Sequence, residues 1–455
     1  MLGRFVFLAA ATRRMTLTHA IAVASVLACA RVVPAGGQEL LRRSGFFGVQ
    51  LVAVPADVRR ERGLPASGGV LVQALVEGGS ARSAAIEPGD VITAVGDRPI
   101  ADVADFVQFT RTLRAGDRCT LRIRRGTDTI ALDVTIRARP YERAADLDVS
   151  YGSVRVDGTL RRTIVTAPQP PGRRPAVLYV NGIGCFSQES LDSSSNDTRL
   201  LYGLTRAGFV TMRVEKTGIG DSEGPPCSSP AADFRAEVRA YIAGLRALKT
   251  LPTVDPNGVF VIGLSIGGVE APLIAAEEPV RGIIVVNTVA KPLFEYLLDS
   301  RRRQLLLAHV PYDEIDRRMA IDERCNHRLL IDKQQPETVI ASDPRCTDHI
   351  SYPAPFTFMQ QWADVNLAAA WKAIDCPVLI VYGMSDFVST IADDAYLAEM
   401  INGFHGNRAT VKAIGGMDHG LSKAATMADS FARTGPAEFE PAVIDAIASW
   451  LRRLG

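Results

Sequence analysis

Short segments rich in valine and isoleucine alternate with longer amphipathic segments from residue 176 to the C-terminus. Short, continuous apolar runs are typical of parallel strands that are buried on both faces. The segments between them have the spacing of apolar residues that helices show. Because strands that alternate with helices pair in parallel, this region predicts a doubly wound α/β sheet. The strand segments are AVLYV, FVTMRVE, VFVIGLS, RGIIVVN, PVLIVYG and ATVKAI.

One stretch, residues 291–374, interrupts the alternation. It is rich in charged residues, contains Trp362 and Trp371, and has helix-like spacing without a strand pattern. An insertion of this size between two strands predicts a helical cap over the site. We therefore assign residues 176–455 to an α/β domain that carries a cap at about 291–374.

A serine lies between glycines in FVIGLSIGGVE, where a predicted strand passes into a predicted helix. A nucleophilic serine on such a sharp turn needs small residues two positions before and two positions after it. Gly263 and Gly267 meet that requirement around Ser265. The five-residue pattern also occurs by chance, so Ser265 needs a base and an acid elsewhere in the chain to be a convincing nucleophile.

Candidates for the base and the acid follow the later strands. In the chain order Ser, Asp or Glu, His, two histidines qualify: His405 precedes the strand ATVKAI, and His419 directly follows it in GGMDHG. The carboxyl ends of parallel strands meet at one edge of a sheet, which favours His419. Asp386 lies directly after PVLIVYG, whereas NTVAKP, after the preceding strand, contains no acid. The sequence therefore predicts a catalytic triad of Ser265, Asp386 and His419.

An acyl-transfer site also needs N–H donors for the oxyanion that forms in the transition state. The amide of Ile266, directly after the serine, is one candidate. The loop NGIGCFS supplies the other, for which we favour Ile183 and keep Gly184 as an alternative. Such a mechanism needs no organic cofactor or metal ion, and no clustered Cys/His spacing predicts a metal site.

The motifs YVNGIGC, KTGIGDSEG, GLSIGG, YGMSD and GGMDHG together resemble those of the α/β-hydrolase superfamily. The likeness is greatest to its bacterial serine esterases and its dienelactone-hydrolase-like and prolyl-oligopeptidase-like branches. It implies cleavage of carboxylic esters through an acyl-enzyme on Ser265, with His419 as general base and Asp386 orienting it. Asn181 departs from the pattern, because many esterases have histidine there, and the cap matches no family that we can name.

Residues 44–138 predict a small β-rich domain, since CTLRIRR and TIALDVTI alternate as paired strands. SGFFGV and GSARSAAIEPGDVITAVGDRPI resemble the carboxylate-binding loop and the following segment of PDZ domains in bacterial HtrA-type proteases. The resemblance implies that backbone amides of Phe47, Gly48 and Val49 bind the terminal carboxylate of a peptide, which adds as a strand to the sheet edge. A PDZ fold that packs on its neighbour and binds nothing is the alternative. Residues 139–175 form a linker and a hairpin that lead into the α/β domain.

The N-terminal residues predict an export signal. Arg13 and Arg14 precede the apolar stretch LTHAIAVASVLACA, and small residues follow it. We assign residues 1–37 to the signal and expect a periplasmic or extracellular protein of a bacterium, with a buried N-terminal helix as the alternative. No other run is long or apolar enough for a membrane span. The net charge of +1 provides no basic field that would attract nucleic acid.

Cysteines beyond this signal can form disulfide bonds in an exported chain. Cys185 follows the predicted oxyanion loop and Cys227 ends DSEGPPC, after a neighbouring strand. A bond between them would brace the oxyanion loop. Cys325 and Cys346, both in the cap, are a second candidate pair. Free or buried thiols at all four positions are the alternative.

Three functions remain open at this level. The leading hypothesis is hydrolysis of a small-molecule carboxylic ester. An exported peptidase, amidase or thioesterase that uses the same triad is an alternative, and the PDZ resemblance favours a peptide substrate or ligand. A peptide-binding PDZ protein with an inactive hydrolase fold is a function of another class, which the presence of all three triad residues disfavours.

Overall fold

The computed structural model describes residues 41–191 and 194–454. The predicted export signal, residues 1–37, lies outside this described part of the chain. Within it, no helix combines the length and the apolar character that crossing a bilayer would require. Two large β-sheets and one two-stranded sheet organise the described residues, and the predicted fold class is confirmed.

The first sheet belongs to the predicted PDZ region and follows the order β2-β3-β4-β6-β7, with β5 paired to β4. Strands β1 and β8 form a separate antiparallel pair. The strands are β1 (Gly45–Phe46), β2 (Val49–Ala53), β3 (Val70–Leu75), β4 (Val91–Val95), β5 (Arg98–Pro99), β6 (Arg118–Arg125), β7 (Asp128–Thr135) and β8 (Arg137–Ala138). The helices are α1 (Ala56–Glu61), α2 (Ser80–Ser83) and α3 (Val103–Thr112).

Helix α3 closes one side of this domain. Its first turn is capped by Asp102, whose carboxylate accepts a hydrogen bond from the Asp105 amide at 2.8 Å. The apolar face of the helix buries Phe106, whose ring packs edge-on against Phe47 with centroids 5.2 Å apart. This contact places the helix beside the segment that enters β2.

The second sheet has eight strands in the order β16-β15-β14-β13-β11-β12-β10-β9. The strands from β16 to β12 are parallel, whereas β10 runs antiparallel to both β12 and β9. The hairpin predicted before the α/β region thus extends the sheet. The strands are β9 (Leu147–Val156), β10 (Thr159–Pro168), β11 (Arg174–Val180), β12 (Val210–Val214), β13 (Val254–Leu264), β14 (Gly282–Val286), β15 (Val378–Gly383) and β16 (Ala409–Ile414).

Both faces of this sheet are covered, as the continuous apolar strands predict. In β11, Ala176, Leu178 and Val180 belong to one hydrophobic core, and Val177 and Tyr179 belong to the core on the opposite face. Helices α5, α6 and α12 contribute to the first core, and α4 and α14 to the second. The helices are α4 (Asn196–Arg206), α5 (Phe234–Lys249), α6 (Gly267–Glu277), α12 (Ile391–His405), α13 (Met427–Ala432) and α14 (Ala442–Leu454).

The insertion between β14 and β15 is helical, as its pattern predicts. It contains α7 (Leu293–Leu307), α8 (Tyr312–Asn326), α9 (Pro336–Ser342), α10 (Phe356–Ala363) and α11 (Leu367–Lys372), with a π-helical turn at His327–Ile331 and a 3₁₀ turn at Pro344–Asp348. Arg303 on α7 donates hydrogen bonds to the carbonyl oxygens of Phe387 and Val388, at 2.8 and 2.7 Å. The insertion is therefore tied directly to the loop that follows β15.

Buried ionic contacts join the PDZ region to the loops of the large sheet. Arg43 forms ion pairs with Glu189 and Asp221, and its guanidinium lies 2.7 Å from the latter. Ser44 donates its amide to the Asp221 carboxylate and its hydroxyl to the Gly220 carbonyl, at 2.7 and 2.6 Å. Removing one partner of a buried ion pair typically costs about 3–5 kcal/mol. These contacts consequently fix the residues preceding β1 against the loop after β12.

Candidate active site

Ser265 lies on the sharp turn between β13 and α6. Its backbone is left-handed, with φ of 56°, a conformation that is unusual for a residue with a side chain and that recurs at functional sites. A β-carbon on Gly263 would lie 2.2 Å from the Gly267 carbonyl oxygen, and one on Gly267 would lie 2.3 Å from the Val180 carbonyl oxygen. Both glycines are therefore required by the close approach of the backbone. The Ser265 amide donates to Val286 on the neighbouring strand at 3.0 Å.

Asp386 and His419 meet at the carboxyl edge of the same sheet, after β15 and β16. Nδ1 of His419 lies 2.8 Å from Oδ2 of Asp386. Oδ1 of Asp386 accepts hydrogen bonds from the amides of Val388 and Ser389, at 2.6 and 3.3 Å. Oδ2 also accepts a hydrogen bond from the Ser389 hydroxyl, at 2.6 Å. The Asp386 side chain is fully buried, whereas a quarter of the His419 side chain is exposed. The carboxylate is thus held rigidly while the imidazole remains accessible.

The charge of Asp386 controls the protonation of His419. Burial lowers the pKa of the imidazole, but the charge of the Asp386 carboxylate, its hydrogen bond and the charge of Asp418 together more than offset burial. The pKa of His419 therefore lies above its ordinary value. An imidazole in this environment accepts a proton more readily than one in water, which is the property that a general base needs.

Asn287, which the sequence reasoning missed, connects the three strand ends. It directly follows β14 and is fully buried, with φ of 49°. Its side-chain amide donates to the carbonyl oxygens of Asp418 and His419, at 3.0 and 3.2 Å, and its side-chain oxygen accepts from the Gly383 amide at 2.8 Å. The signal in the sequence is a polar residue directly after a buried strand, and the chain order of a triad, which calls for an acid, does not single it out.

The candidate oxyanion loop follows β11 and reaches the serine. A β-carbon on Gly182 would lie 3.5 Å from the β-carbon of Ser265. In residues 41–191 and 194–454, the backbone hydrogen bonds of turns and loops include none that is donated by the amide of Ile183 or Ile266. Ile266 is buried and Ile183 is partly exposed. Gly184, the alternative donor, has a left-handed φ of 127°.

The four candidate cysteines are paired in the structure. Cys185 is bonded to Cys227, which joins the candidate oxyanion loop to the loop after β12. Cys325 is bonded to Cys346 inside the cap.

His405, the less favoured candidate base, lies at the end of α12, with Nε2 3.2 Å from the carbonyl oxygen of Trp371.

The candidate peptide-binding loop of the PDZ region leads into β2. Phe47 is buried, Gly48 has φ of 75°, and Val49 begins the strand. A β-carbon on Gly48 would lie 2.5 Å from the α-carbon of Gly79. Packing inside the domain, and not only access for a ligand, therefore requires this glycine. Strand β2 pairs with β3 on one side and ends the strand order of its sheet on the other.

Among the described residues, no group of three or more His, Cys, Asp or Glu side chains is arranged to hold a metal ion.

A parallel sheet that carries a left-handed serine, a buried carboxylate and a histidine at one edge defines the α/β-hydrolase class of fold. Residues 177–432 match the model of the alpha/beta hydrolase family, and residues 45–136 match that of the PDZ domain. The chain belongs to the alpha/beta hydrolase family and carries an N-terminal PDZ domain. The resemblance stated from the motifs is thereby confirmed.

Individual relatives match the two regions separately. Esterase EstD of Thermotoga maritima is 23% identical over 299 residues, which cover 63% of this chain and 64% of that protein. A probable periplasmic serine endoprotease DegP-like of Pseudomonas putida is 34% identical over 119 residues, 26% of this chain and 24% of that protein. The chain thus spans less than two thirds of the length of either relative. The solved structure of Est1E from Butyrivibrio proteoclasticus with bound ferulic acid shares 16% identity over 66% of this chain and 98% of that one, with a TM-score of 0.44.

Proposed function

We propose that this protein is a serine hydrolase that cleaves carboxylic esters through an acyl-enzyme on Ser265. The observation that carries the proposal is the 2.8 Å contact between Nδ1 of His419 and the buried Asp386, at the sheet edge where Ser265 occupies its left-handed turn. The similarity to an esterase of Thermotoga maritima supports ester chemistry.

The proposed reaction has two halves. Nε2 of His419 accepts the hydroxyl proton as the Ser265 oxygen attacks the ester carbonyl carbon, and the carbonyl oxygen becomes an oxyanion. The amides of Ile183 and Ile266 donate to that oxyanion. When the tetrahedral intermediate collapses, the bond to the alcohol oxygen breaks and His419 returns the proton to the leaving alkoxide. A water molecule then attacks the acyl-enzyme by the same steps, which releases the carboxylic acid and restores the serine hydroxyl.

A fluorophosphonate reagent tests the proposed nucleophile before any natural substrate is known. We expect the mature protein to be labelled at Ser265, because the reagent reacts with a serine hydroxyl that is activated by a base. Mass spectrometry of the digested protein locates the label. Heat-denatured protein serves as the control and is expected to remain unlabelled. Label on another serine, or none on native protein, would contradict the proposal.

The acyl substrate is then identified with a panel of p-nitrophenyl esters of increasing acyl length, the matching thioesters, and aminoacyl amides. We expect turnover to be greatest with the esters. Preferential cleavage of amides or thioesters would replace the ester assignment with the peptidase or thioesterase alternative and retain the same triad.

We propose a second function for this protein: the PDZ domain binds the C-terminus of a peptide along β2. The outer position of β2 in its sheet supports it, because an unpaired strand edge accepts an added strand. The loop at Phe47, Gly48 and Val49 would bind the terminal carboxylate. In a fluorescence-polarisation screen of C-terminal peptides, we expect binders to lose affinity when their terminus is amidated. Equal binding of acid and amide peptides would contradict this mode.

Export is part of the same proposal. The disulfide bonds Cys185–Cys227 and Cys325–Cys346 require an oxidising compartment. The relative of the PDZ region is named a periplasmic protein. A periplasmic or extracellular location, reached through the predicted signal at residues 1–37, is consistent with both observations.

A further inference from the structure

Lys216 lies buried behind the candidate oxyanion loop, in the segment that follows β12. Only 6% of the residue is exposed. Its ammonium donates a hydrogen bond of 2.9 Å to the carbonyl oxygen of Gly182 and lies 2.8 Å from the Glu237 carboxylate. The carbonyl that it binds belongs to the peptide group whose N–H is the amide of Ile183.

Glu270 is a second buried carboxyl group that interacts with Lys216 and Glu237. It lies in the first turn of α6, after Ser265, and is fully buried, with no hydrogen-bond partner at either carboxylate oxygen among the described residues. Burial and the neighbouring Glu237 carboxylate raise the pKa of Glu270 well above its ordinary value, although Lys216 opposes the shift. Burial and the Glu237 charge thus disfavour the charged form of Glu270, whereas the Glu237 carboxylate lies in ion-pair contact with Lys216.

We propose that Lys216 is a positioning residue for the oxyanion hole, and this inference rests on the proposed serine hydrolase activity. A peptide group is planar and almost always trans, so its C=O and its N–H point in opposite directions. By holding the Gly182 carbonyl on the side of Glu237, Lys216 fixes the orientation of the Ile183 N–H. A β-carbon on Gly182 would lie 3.5 Å from the Ser265 β-carbon, so this peptide group lies close to the proposed nucleophilic residue.

The ammonium also makes the Ile183 amide a better donor. A charge-assisted hydrogen bond to a carbonyl oxygen withdraws electron density from the peptide group, and hydrogen bonds linked in this way strengthen one another. The effect is greatest when negative charge develops on the substrate oxygen. Loss of Lys216 should thus slow acyl transfer more than it weakens binding of the ester.

The test replaces Lys216 with methionine, which keeps the apolar stem and removes the donor. Removing an oxyanion donor outright costs about 10²–10³ in kcat, so the loss of its support is expected to lower kcat by about 10- to 100-fold with little change in KM. Affinity for an alkyl boronic acid, which adds to a serine hydroxyl as a tetrahedral anion, is expected to fall in parallel with kcat/KM.

Two further variants separate this role from a structural one. Lys216→Met leaves Glu237 without its cation, so the double variant Lys216→Met, Glu237→Gln is expected to recover thermal stability but not kcat. Lys249→Met is the matched control, because Lys249 also binds one carboxylate and one carbonyl oxygen, those of Glu278 and Pro279, both at 2.6 Å. It is expected to leave kcat and boronate affinity unchanged.

The possible results distinguish the two levels of the proposal. The positioning role is wrong if the wild type is active and Lys216→Met keeps its kcat and boronate affinity. It is also wrong if the double variant recovers kcat together with stability. In both cases the hydrolase proposal stands. A loss confined to KM also contradicts the positioning role. If wild-type protein neither turns over an ester nor binds the boronic acid, the hydrolase proposal fails, and this inference fails with it.

Discussion

Replacing Ser265 with alanine is expected to lower kcat for ester hydrolysis by about 10⁶-fold, the scale of loss when a triad nucleophile is removed. The substitution deletes only the hydroxyl oxygen. The backbone contacts of the turn, including the hydrogen bond of the residue 265 amide to Val286, remain available. The protein should therefore stay folded while it loses the atom that forms the acyl-enzyme. Steady-state kinetics, normalised by active-site titration of the wild type, measure the loss.

Ser265→Gly is the matched control for this result. Glycine adopts a left-handed φ without the steric cost that a β-carbon carries, so this variant removes the hydroxyl and relaxes the backbone at once. We expect both variants to be equally inactive and Ser265→Gly to be at least as stable as Ser265→Ala in thermal unfolding. Appreciable turnover by either purified variant would show that another group is the nucleophile.

The α/β fold is predictable from the sequence because its strands are buried on both faces. Such strands are continuously apolar, and the alternation seen in β11 between the two hydrophobic cores follows from the period of two of any strand. The elbow is predictable for a local reason: Gly263 and Gly267 are required by backbone atoms that lie within a few residues or on the adjacent strand. The contact between Asp386 and His419 is predictable because parallel strands end at one edge of the sheet.

The remaining contacts of the site join residues that no local pattern connects. Asn287 reaches Asp418 and His419 across the sheet edge, and Lys216 reaches Gly182 from another loop. Each of these side chains is an ordinary polar residue in its own segment. Only the folded arrangement shows that it satisfies a particular backbone group, so sequence reasoning limited to triad residue types passes over it.

The sequence also does not predict the contact between the residues that precede β1 and the loop after β12. Arg43 and Asp221 are 178 positions apart and pair at 2.7 Å. Arginine and aspartate are common surface residues, and their spacing along the chain carries no information about a buried pair. The Arg43 contact reaches the loop after β12, which also carries Lys216 and Cys227. The residues before the PDZ loop are therefore connected to the loop that carries Lys216, behind the candidate oxyanion loop.

Replacing Asp386 with asparagine is expected to lower kcat/KM by about 10⁴-fold, because it selects the wrong tautomer of the histidine. The amides of Val388 and Ser389 require an acceptor at Oδ1, which fixes the new side-chain oxygen there. The new NH₂ group then faces Nδ1 of His419, which must accept. The remaining proton sits on Nε2, the atom that should take the proton of Ser265. A variant that is well folded by circular dichroism but retains more than a tenth of wild-type kcat/KM would contradict this assignment.

The same variant is expected to change the pH dependence of the residual rate. In the wild type, kcat/KM should rise with pH through the pKa of His419, since only the neutral imidazole accepts a proton. Asp386 raises that pKa against the opposing effect of burial. Once the carboxylate is replaced by a neutral amide, the two contributions of Asp386 are lost, only the Asp418 charge still opposes burial, and the pKa of His419 falls. The acid limb of the kcat/KM profile should therefore move to lower pH in Asp386→Asn, whereas a limb that stays in place would assign the titration to a group other than His419.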